Sequence, residues 1–181
     1  MSRNIFIAGL IAFAFFTGFL AFLGAFKTIE VTERDIGPYH LVYESNTGSY
    51  RKTGPSVDAM MKLAEIRKVN PVAGFGKYYD RPDQVEESKL RSDAGIIIDD
   101  KDLAAFKELP QGVHYAQYPV TRAMVADFPL RGFLSIFLGI YKVYPALMDY
   151  QEAKKYPATY SLEIYELRNR RTVYAFPILA Q

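Results

Sequence analysis

The residues best suited to chemistry lie in one segment near the end of the chain, residues 161–167. Alternate residues of an extended strand point to opposite sides of a sheet, so Glu163 and Tyr165 share one side. A carboxylate beside a phenol suits a cationic or hydrogen-bonding ligand, and the pair could also move a proton on a reactive electrophile. We expect Leu162 and Ile164 to face the helices, which leaves the Glu–Tyr pair on the open face of the sheet. A solvated glutamate that binds no ligand is the alternative.

A second candidate cluster is the segment 77–82, which contains two adjacent tyrosines. Tyrosines on a strand supply flat apolar walls with a polar tip, as small-molecule pockets need. Ordinary sheet packing followed by a proline-containing turn explains the same spacing equally well. The spacing therefore leaves both interpretations open.

The composition excludes several kinds of site. The chain has no cysteine, which excludes disulfides, thiolate metal sites and cysteine nucleophiles. His40 and His114 stand apart from any partner at metal-ligand spacing, and no glycine-rich phosphate loop or nucleophile elbow is present. The formal net charge is +2 and the charges are interleaved, with no basic stripe to neutralise phosphates. We therefore expect no metal, no cofactor and no nucleic-acid partner.

The N-terminal segment 5–26 predicts a transmembrane anchor. It contains no charged residue, its apolar side chains surround the helix, and a helix of that length spans roughly 33 Å, close to the hydrocarbon thickness of a bilayer. A cleaved signal peptide is the rival interpretation, but it needs a shorter apolar core followed by a small-x-small cleavage site. Here Leu23 stands two residues before Ala25, where a small residue would be required.

The charges beside this segment bear on its orientation. Arg3 lies before it, whereas Lys27 and Arg34 follow it, which slightly favours a single-pass protein with its domain on the cytoplasmic side. We expect the anchor to occupy residues 1–26 and one domain to occupy residues 27–181.

The domain predicts an α+β fold with an internal repeat. Pro55 opens a helix with apolar spacing i, i+3, i+4, i+7, and a second helix begins near Phe133 and kinks or restarts at Pro145. The order strand–helix–strand–strand occurs twice, and two such modules would form an antiparallel sheet with both helices on one face and an open, concave face on the other. The strand-like segments are 28–35, 39–43, 74–80, 90–99, 112–128, 160–167 and 172–178.

Three segments in this order resemble the GyrI-like small-molecule-binding family, the effector-binding domains of bacterial multidrug-responsive regulators and their stand-alone relatives. They are residues 76–82 (GKYYDRP), 89–96 (KLRSDAGI) and 162–166 (LEIYE), and the similarity covers most of residues 31–178. The chain is most similar to the membrane-anchored branch of that family, typified by an ER-phagy receptor. The resemblance implies a fold of two strand–helix–strand–strand modules.

The resemblance also implies a ligand site. The pocket glutamate of the family, which contacts cationic lipophilic ligands in the regulators, falls on Glu163, and its aromatic neighbours map onto Tyr79 and Tyr165. Some family members are reported to hydrolyse strained cyclopropyl compounds with a Glu and a Tyr. The regulators carry a DNA-binding element before this domain, where the present chain has its apolar segment instead.

Three functions are compatible with these residues. We expect a membrane-anchored, non-enzymatic binding module with a pocket for a small amphipathic or cationic ligand. The alternatives are a membrane-tethered scaffold with a vestigial pocket and a hydrolase of reactive, cyclopropyl-type electrophiles. A buried Glu163 ringed by tyrosines would favour binding or hydrolysis, whereas a concave face filled by its own side chains would favour the scaffold.

Overall fold

The structure is a computed structural model that describes residues 2–178. Three α-helices and eight strands account for most of those residues, and all eight strands belong to one antiparallel sheet. The helices are α1 (Ser2–Leu23), α2 (Thr53–Ile66) and α3 (Phe133–Lys154), with 3-10 turns at Tyr50–Lys52, Glu87–Lys89 and Asp100–Phe106. The strands are β1 (Thr32–Ile36), β2 (Tyr39–Thr47), β3 (Ala73–Tyr78), β4 (Arg91–Ile98), β5 (Val113–Tyr118), β6 (Thr121–Pro129), β7 (Ser161–Glu166) and β8 (Arg171–Pro177).

The two predicted modules are β2–α2–β3–β4 and β6–α3–β7–β8. The strand order across the sheet is β1-β6-β8-β7-β3-β4-β2-β5, so the modules meet at the central pair β7 and β3. Helix α2 packs on β4, β2 and β3, and α3 packs on β6 and β8. The α+β class with helices on one face of an antiparallel sheet is thereby confirmed.

The two remaining strands are exchanged between the modules. Strand β1 runs directly into β2 but pairs with β6, and β5 runs directly into β6 but pairs with β2. In a flat sheet β1 and β2 would lie about 29 Å apart, at ~4.8 Å per strand, whereas the chain from Ile36 to Tyr39 reaches at most about 11 Å. The sheet therefore curves until its ends meet. The two links touch, since a Cβ on Gly37 (φ +86°) would lie 2.7 Å from the carbonyl oxygen of Pro119.

Because the sheet curves, side chains fill its inner face, which is the face that points away from the helices. A cluster of buried apolar side chains occupies this inner face, including Phe75, Leu162 and Ile164. The prediction of an open concave face is therefore wrong. The prediction that Leu162 and Ile164 face the helices is wrong for the same reason, because both faces of β7 are buried and its burial pattern does not distinguish them.

The outer face carries the helices. Helix α3 buries Ser135, Gly139, Val143 and Leu147, one residue per turn, against β6 and β8. Gly139 sits under the hydroxyl of Tyr174, where a side chain would collide with the ring. Pro145 does not divide α3 into two helices as predicted. It lies on the exposed side, where the hydrogen bond that a proline removes faces outward.

Several strand boundaries differ from the sequence prediction, and β1, for example, begins at Thr32 and not at residue 28. The segment 112–128 forms two strands separated at Pro119 and Val120, because β5 and β6 pair with different partners at opposite ends of the sheet. Strand β2 extends to Thr47, beyond the predicted end at residue 43, through its pairing with β4.

Helix α1 lies outside this packed unit. Apart from its last residue, Leu23, the stretch Asn4–Leu23 is not buried, and it is long and apolar enough to cross a membrane. An N-terminal signal sequence has the same two properties, so length and composition do not separate the two.

Candidate functional site

Glu163 lies on the central strand β7 and points to the outer face, between the helices. Its side chain is buried, with 2% of its surface exposed. Its partner across the strands is Gly76 on β3, and a Cβ there would lie 2.6 Å from the hydroxyl of Tyr78. The absence of a side chain at position 76 therefore makes the room in which Tyr78 approaches the carboxylate.

Tyrosine hydroxyls satisfy both carboxylate oxygens of Glu163. Tyr144 on α3 donates to Oε1 at 2.7 Å, and Tyr165 on β7 donates to Oε2 at 2.7 Å. The Tyr165 hydroxyl lies 3.3 Å from that of Tyr78, which in turn lies 3.4 Å from Oγ1 of Thr53 at the start of α2. A chain of hydroxyl groups therefore joins α3, the central strands and α2 through one carboxylate.

No cation balances this carboxylate among the described residues, because Glu163 forms no ion pair within 4.0 Å. Burial raises the pKa of Glu163, and the hydrogen bonds from Tyr144 and Tyr165 only partly offset that effect. Burial and the nearby Glu163 charge in turn raise the pKa of both tyrosines, so their hydroxyls remain donors at neutral pH. The protonation state of Glu163 therefore depends on its burial and on the two tyrosines that donate to it.

The structure brings two of the three predicted ligand residues together and separates the third. Glu163 and Tyr165 are joined by a hydrogen bond, and they face the helices instead of the open face that was predicted. Tyr79 lies on the inner face and contacts neither. Since Tyr78 and Tyr79 are consecutive on an extended chain, only one of them can reach Glu163, and that one is Tyr78.

Tyr79 lines a separate pocket on the inner face, with a volume of about 190 Å³. Its hydroxyl donates to Oδ2 of Asp93 at 2.5 Å. The ammonium of Lys77 lies 4.7 Å from the Tyr79 ring centre and 4.2 Å from that of Tyr160. Burial lowers the pKa of Lys77, with a smaller opposing effect from Asp93. The second predicted cluster therefore has its own polar surroundings, on the other side of the sheet from Glu163.

Sequence reasoning missed Tyr144, the donor from α3. The apolar spacing along α3 does not single it out, because Tyr141 has the same spacing and is 81% exposed. Thr53 gave no signal either, because it precedes the predicted start of α2. Tyr174, whose ring packs edge-on against Tyr144 at 6.0 Å, completes the wall beside Glu163.

The cluster is closed by its own side chains. Because Glu163 is buried, any ligand that reaches it must move side chains that pack around it, such as Tyr144 or Tyr165. A cation would supply the missing charge, and a hydrogen-bond donor could replace a phenol. A molecule that took the place of one phenol at hydrogen-bond distance could exchange a proton with Glu163.

The comparisons with known proteins agree with the fold. No protein-family profile matches the chain. The C-terminal domain of EcmrR superposes with a TM-score of 0.54 at 13% identity, over 84% of this chain and 99% of that domain. SAV2435, solved with tetraphenylphosphonium bound, superposes with a TM-score of 0.53 at 11% identity, over 83% of this chain and 94% of that one. The chain thus has the fold of GyrI-like effector-binding domains.

Curated relatives come from mammals. The chain is 28% identical to Testis-expressed protein 264 of Homo sapiens over 164 residues, which is 87% of this chain and 49% of the human protein. The Mus musculus homologue is 28% identical over 161 residues, or 85% of this chain and 49% of the mouse protein. The chain therefore spans about half the length of the curated relatives it matches.

Proposed function

We propose that the protein is a membrane-anchored, non-enzymatic module that binds a small amphipathic cation at Glu163. Residues 1–26 are the anchor and residues 27–181 the binding domain. The observation that carries the proposal is the buried Glu163 carboxylate, which has tyrosine hydroxyls on both oxygens and no cationic partner among residues 4–178.

The energetics favour a cationic ligand. A buried, ionised carboxylate is costly unless a positive charge compensates it. A lipophilic cation supplies that charge, and the faces of Tyr144, Tyr165 and Tyr78 supply apolar and cation–π contacts. Binding has to displace one phenol from Glu163, which costs a hydrogen bond and is offset by the new ion pair.

The structural neighbours support this ligand class. SAV2435 shares the fold and was solved with tetraphenylphosphonium, a bulky lipophilic cation. At 11% identity the likeness concerns the fold, and the transfer of the ligand class rests on the carboxylate at Glu163.

The proposal can be tested with two ligands that have the same shape and opposite charges. Tetraphenylphosphonium and tetraphenylborate differ chiefly in the sign of their charge, so their effects on thermal unfolding of the full chain in nanodiscs can be compared. We expect the cation alone to raise the unfolding temperature, and Glu163→Gln to weaken its binding tenfold or more, which is about 1.4 kcal/mol. Equal stabilisation of the wild type and Glu163→Gln would contradict the proposal.

One observation favours a second function, a membrane-tethered scaffold with a vestigial pocket. The cluster around Glu163 is closed, and apolar side chains fill the inner face outside the pocket beside Tyr79. For a scaffold, neither ion would shift the unfolding temperature, and Glu163→Gln would change stability alone.

A further inference from the structure

We propose that the outer side of the first turns of α3 lies in the headgroup region of the membrane that α1 spans; this rests on the proposed anchor. Large apolar side chains cover that side of the helix. They form the apolar α3 face, which consists of Phe133, Leu134, Phe137, Ile140 and Tyr141.

The face is a continuous stripe. Phe133, Phe137 and Tyr141 follow one another at i, i+4, i+8, and the Phe133 and Phe137 rings are 4.5 Å apart. Phe133 is 72% exposed and Tyr141 is 81% exposed. Single exposed apolar residues are ordinary on a protein surface, but a contiguous patch of this kind marks a contact surface.

The position of the stripe identifies what covers it. The guanidinium of Arg131, two residues before α3, lies 5.1 Å from the ring centre of Phe22 in the last turn of α1. Further along α3, the ammonium of Lys142 donates to the backbone carbonyls of Ala25 and Lys27, each at 2.6 Å. These contacts hold the apolar half of α3 against the end of α1, the level at which an anchor leaves the bilayer.

The polarity of α3 changes along its length in the direction that a bilayer requires. The exposed side is apolar beside α1 and becomes charged beyond Pro145, where Asp149, Glu152 and Lys154 are exposed. A membrane at the end of α1 would take up the first half and leave the second half in water. Aromatic residues flanked by Arg131 and Lys27 are typical of the interfacial region, where basic groups meet anionic headgroups.

Because the chain has no cysteine, single-cysteine variants can report the depth of individual positions. Full-length Phe13→Cys, Tyr141→Cys and Asp149→Cys, each labelled with a fluorophore, would be placed in liposomes that contain lipids spin-labelled at the headgroup or deep in the acyl chain. All three positions are exposed, so the labels leave the core undisturbed. We expect deep quenching at position 13, headgroup-level quenching at position 141 and quenching by neither lipid at position 149.

The outcomes separate this inference from the anchor on which it rests. Quenching at position 13 without quenching at position 141 would overturn the inference and leave the anchor standing. A label at position 141 that is shielded from water but not quenched by lipid would also overturn it, since a protein surface such as a second copy would then cover the face. Absence of quenching at position 13 would remove the anchor itself. Phe137→Cys provides an independent second position on the same face.

Discussion

At the scale of single residues, the account depends on the Glu163 carboxylate, whose hydrogen-bond partners in the described part of the chain are two phenols. Burial raises the pKa of Glu163 above its ordinary value of 4.5. Between that value and the raised one, the folded protein binds more protons than the unfolded chain, so the free energy of unfolding falls as the pH rises through this window. Above the raised pKa the loss is complete.

This sign gives a prediction for Glu163→Gln. The variant lacks the titrating group, so its stability relative to the wild type should increase from pH 4.5 upward and then level off. Thermal unfolding of both proteins, followed by tyrosine circular dichroism in the same detergent, measures the difference at each pH and cancels the titration of all other groups. A difference that does not change with pH would show that Glu163 is not held in a desolvated site.

Tyr144 offers a test of the contact between α3 and the carboxylate. Tyr144→Phe keeps the ring and removes the donor to Oε1, and leaving a buried acceptor without its partner costs about 1–3 kcal/mol. Tyr141→Phe is the matched control, one turn away on the exposed side, and should change stability by less than about 0.5 kcal/mol. Equal effects of the two substitutions on thermal unfolding would contradict the role assigned to Tyr144.

The sequence was sufficient to pair Glu163 with Tyr165, because residues two apart on a strand always share a side. It was not sufficient to choose the side. That choice depends on the curvature of the sheet, which buries Leu162 and Ile164 as fully as Glu163 and so removes the usual contrast between a core face and a solvent face. The sequence prediction placed Tyr79 near Glu163, whereas the structure places Tyr78 there. This difference has the same cause, the side of the sheet to which Glu163 points.

At the scale of elements, α3 depends on a glycine. Gly139 faces Tyr174 and Phe128, and the Cβ of an alanine would collide with the Tyr174 hydroxyl. Gly139→Ala should therefore destabilise the fold by about 1–3 kcal/mol, as overpacking does, even though alanine is the better helix former. Gly18→Ala in α1 is the control, because no atom lies within 4 Å of its Cβ position and the substitution should change the stability of the domain by less than about 0.5 kcal/mol. A loss of stability in Gly139→Ala alone, measured by thermal unfolding, supports this account, and equal effects of the two substitutions would contradict it.

The type and extent of an element could be predicted where they depend on the local spacing of apolar residues. The prediction failed where they depend on which strands pair. The spacing after Pro55 and the apolar run after Phe133 both predicted helices that the structure contains. The division of residues 112–128 into β5 and β6 depends on partners far away in sequence, which alternation along one strand does not reveal.

At the scale of the whole molecule, α3 connects the two proposals. Its outer side carries Tyr141 in the apolar α3 face, and its inner side carries Tyr144 on the Glu163 carboxylate. If the apolar α3 face lies in the headgroup region, only one helix separates the membrane surface from Glu163. An amphipathic cation that concentrates at that surface would then reach the cluster from the bilayer side, which gives the anchor a role in ligand capture.

The most direct test of the central claim is the proton balance of cation binding. An ion pair favours the charged form of a carboxylate, so tetraphenylphosphonium bound at Glu163 should expel its proton at a pH between the ordinary pKa of 4.5 and the raised pKa, the window in which the folded protein retains it. Calorimetric titration of the full chain in nanodiscs, in two buffers of different ionisation enthalpy and with empty nanodiscs subtracted, measures this release. We predict proton release in the wild type and none in Glu163→Gln. Binding without proton release in the wild type, or equal release in both proteins, would contradict the claim that Glu163 is the ligand site.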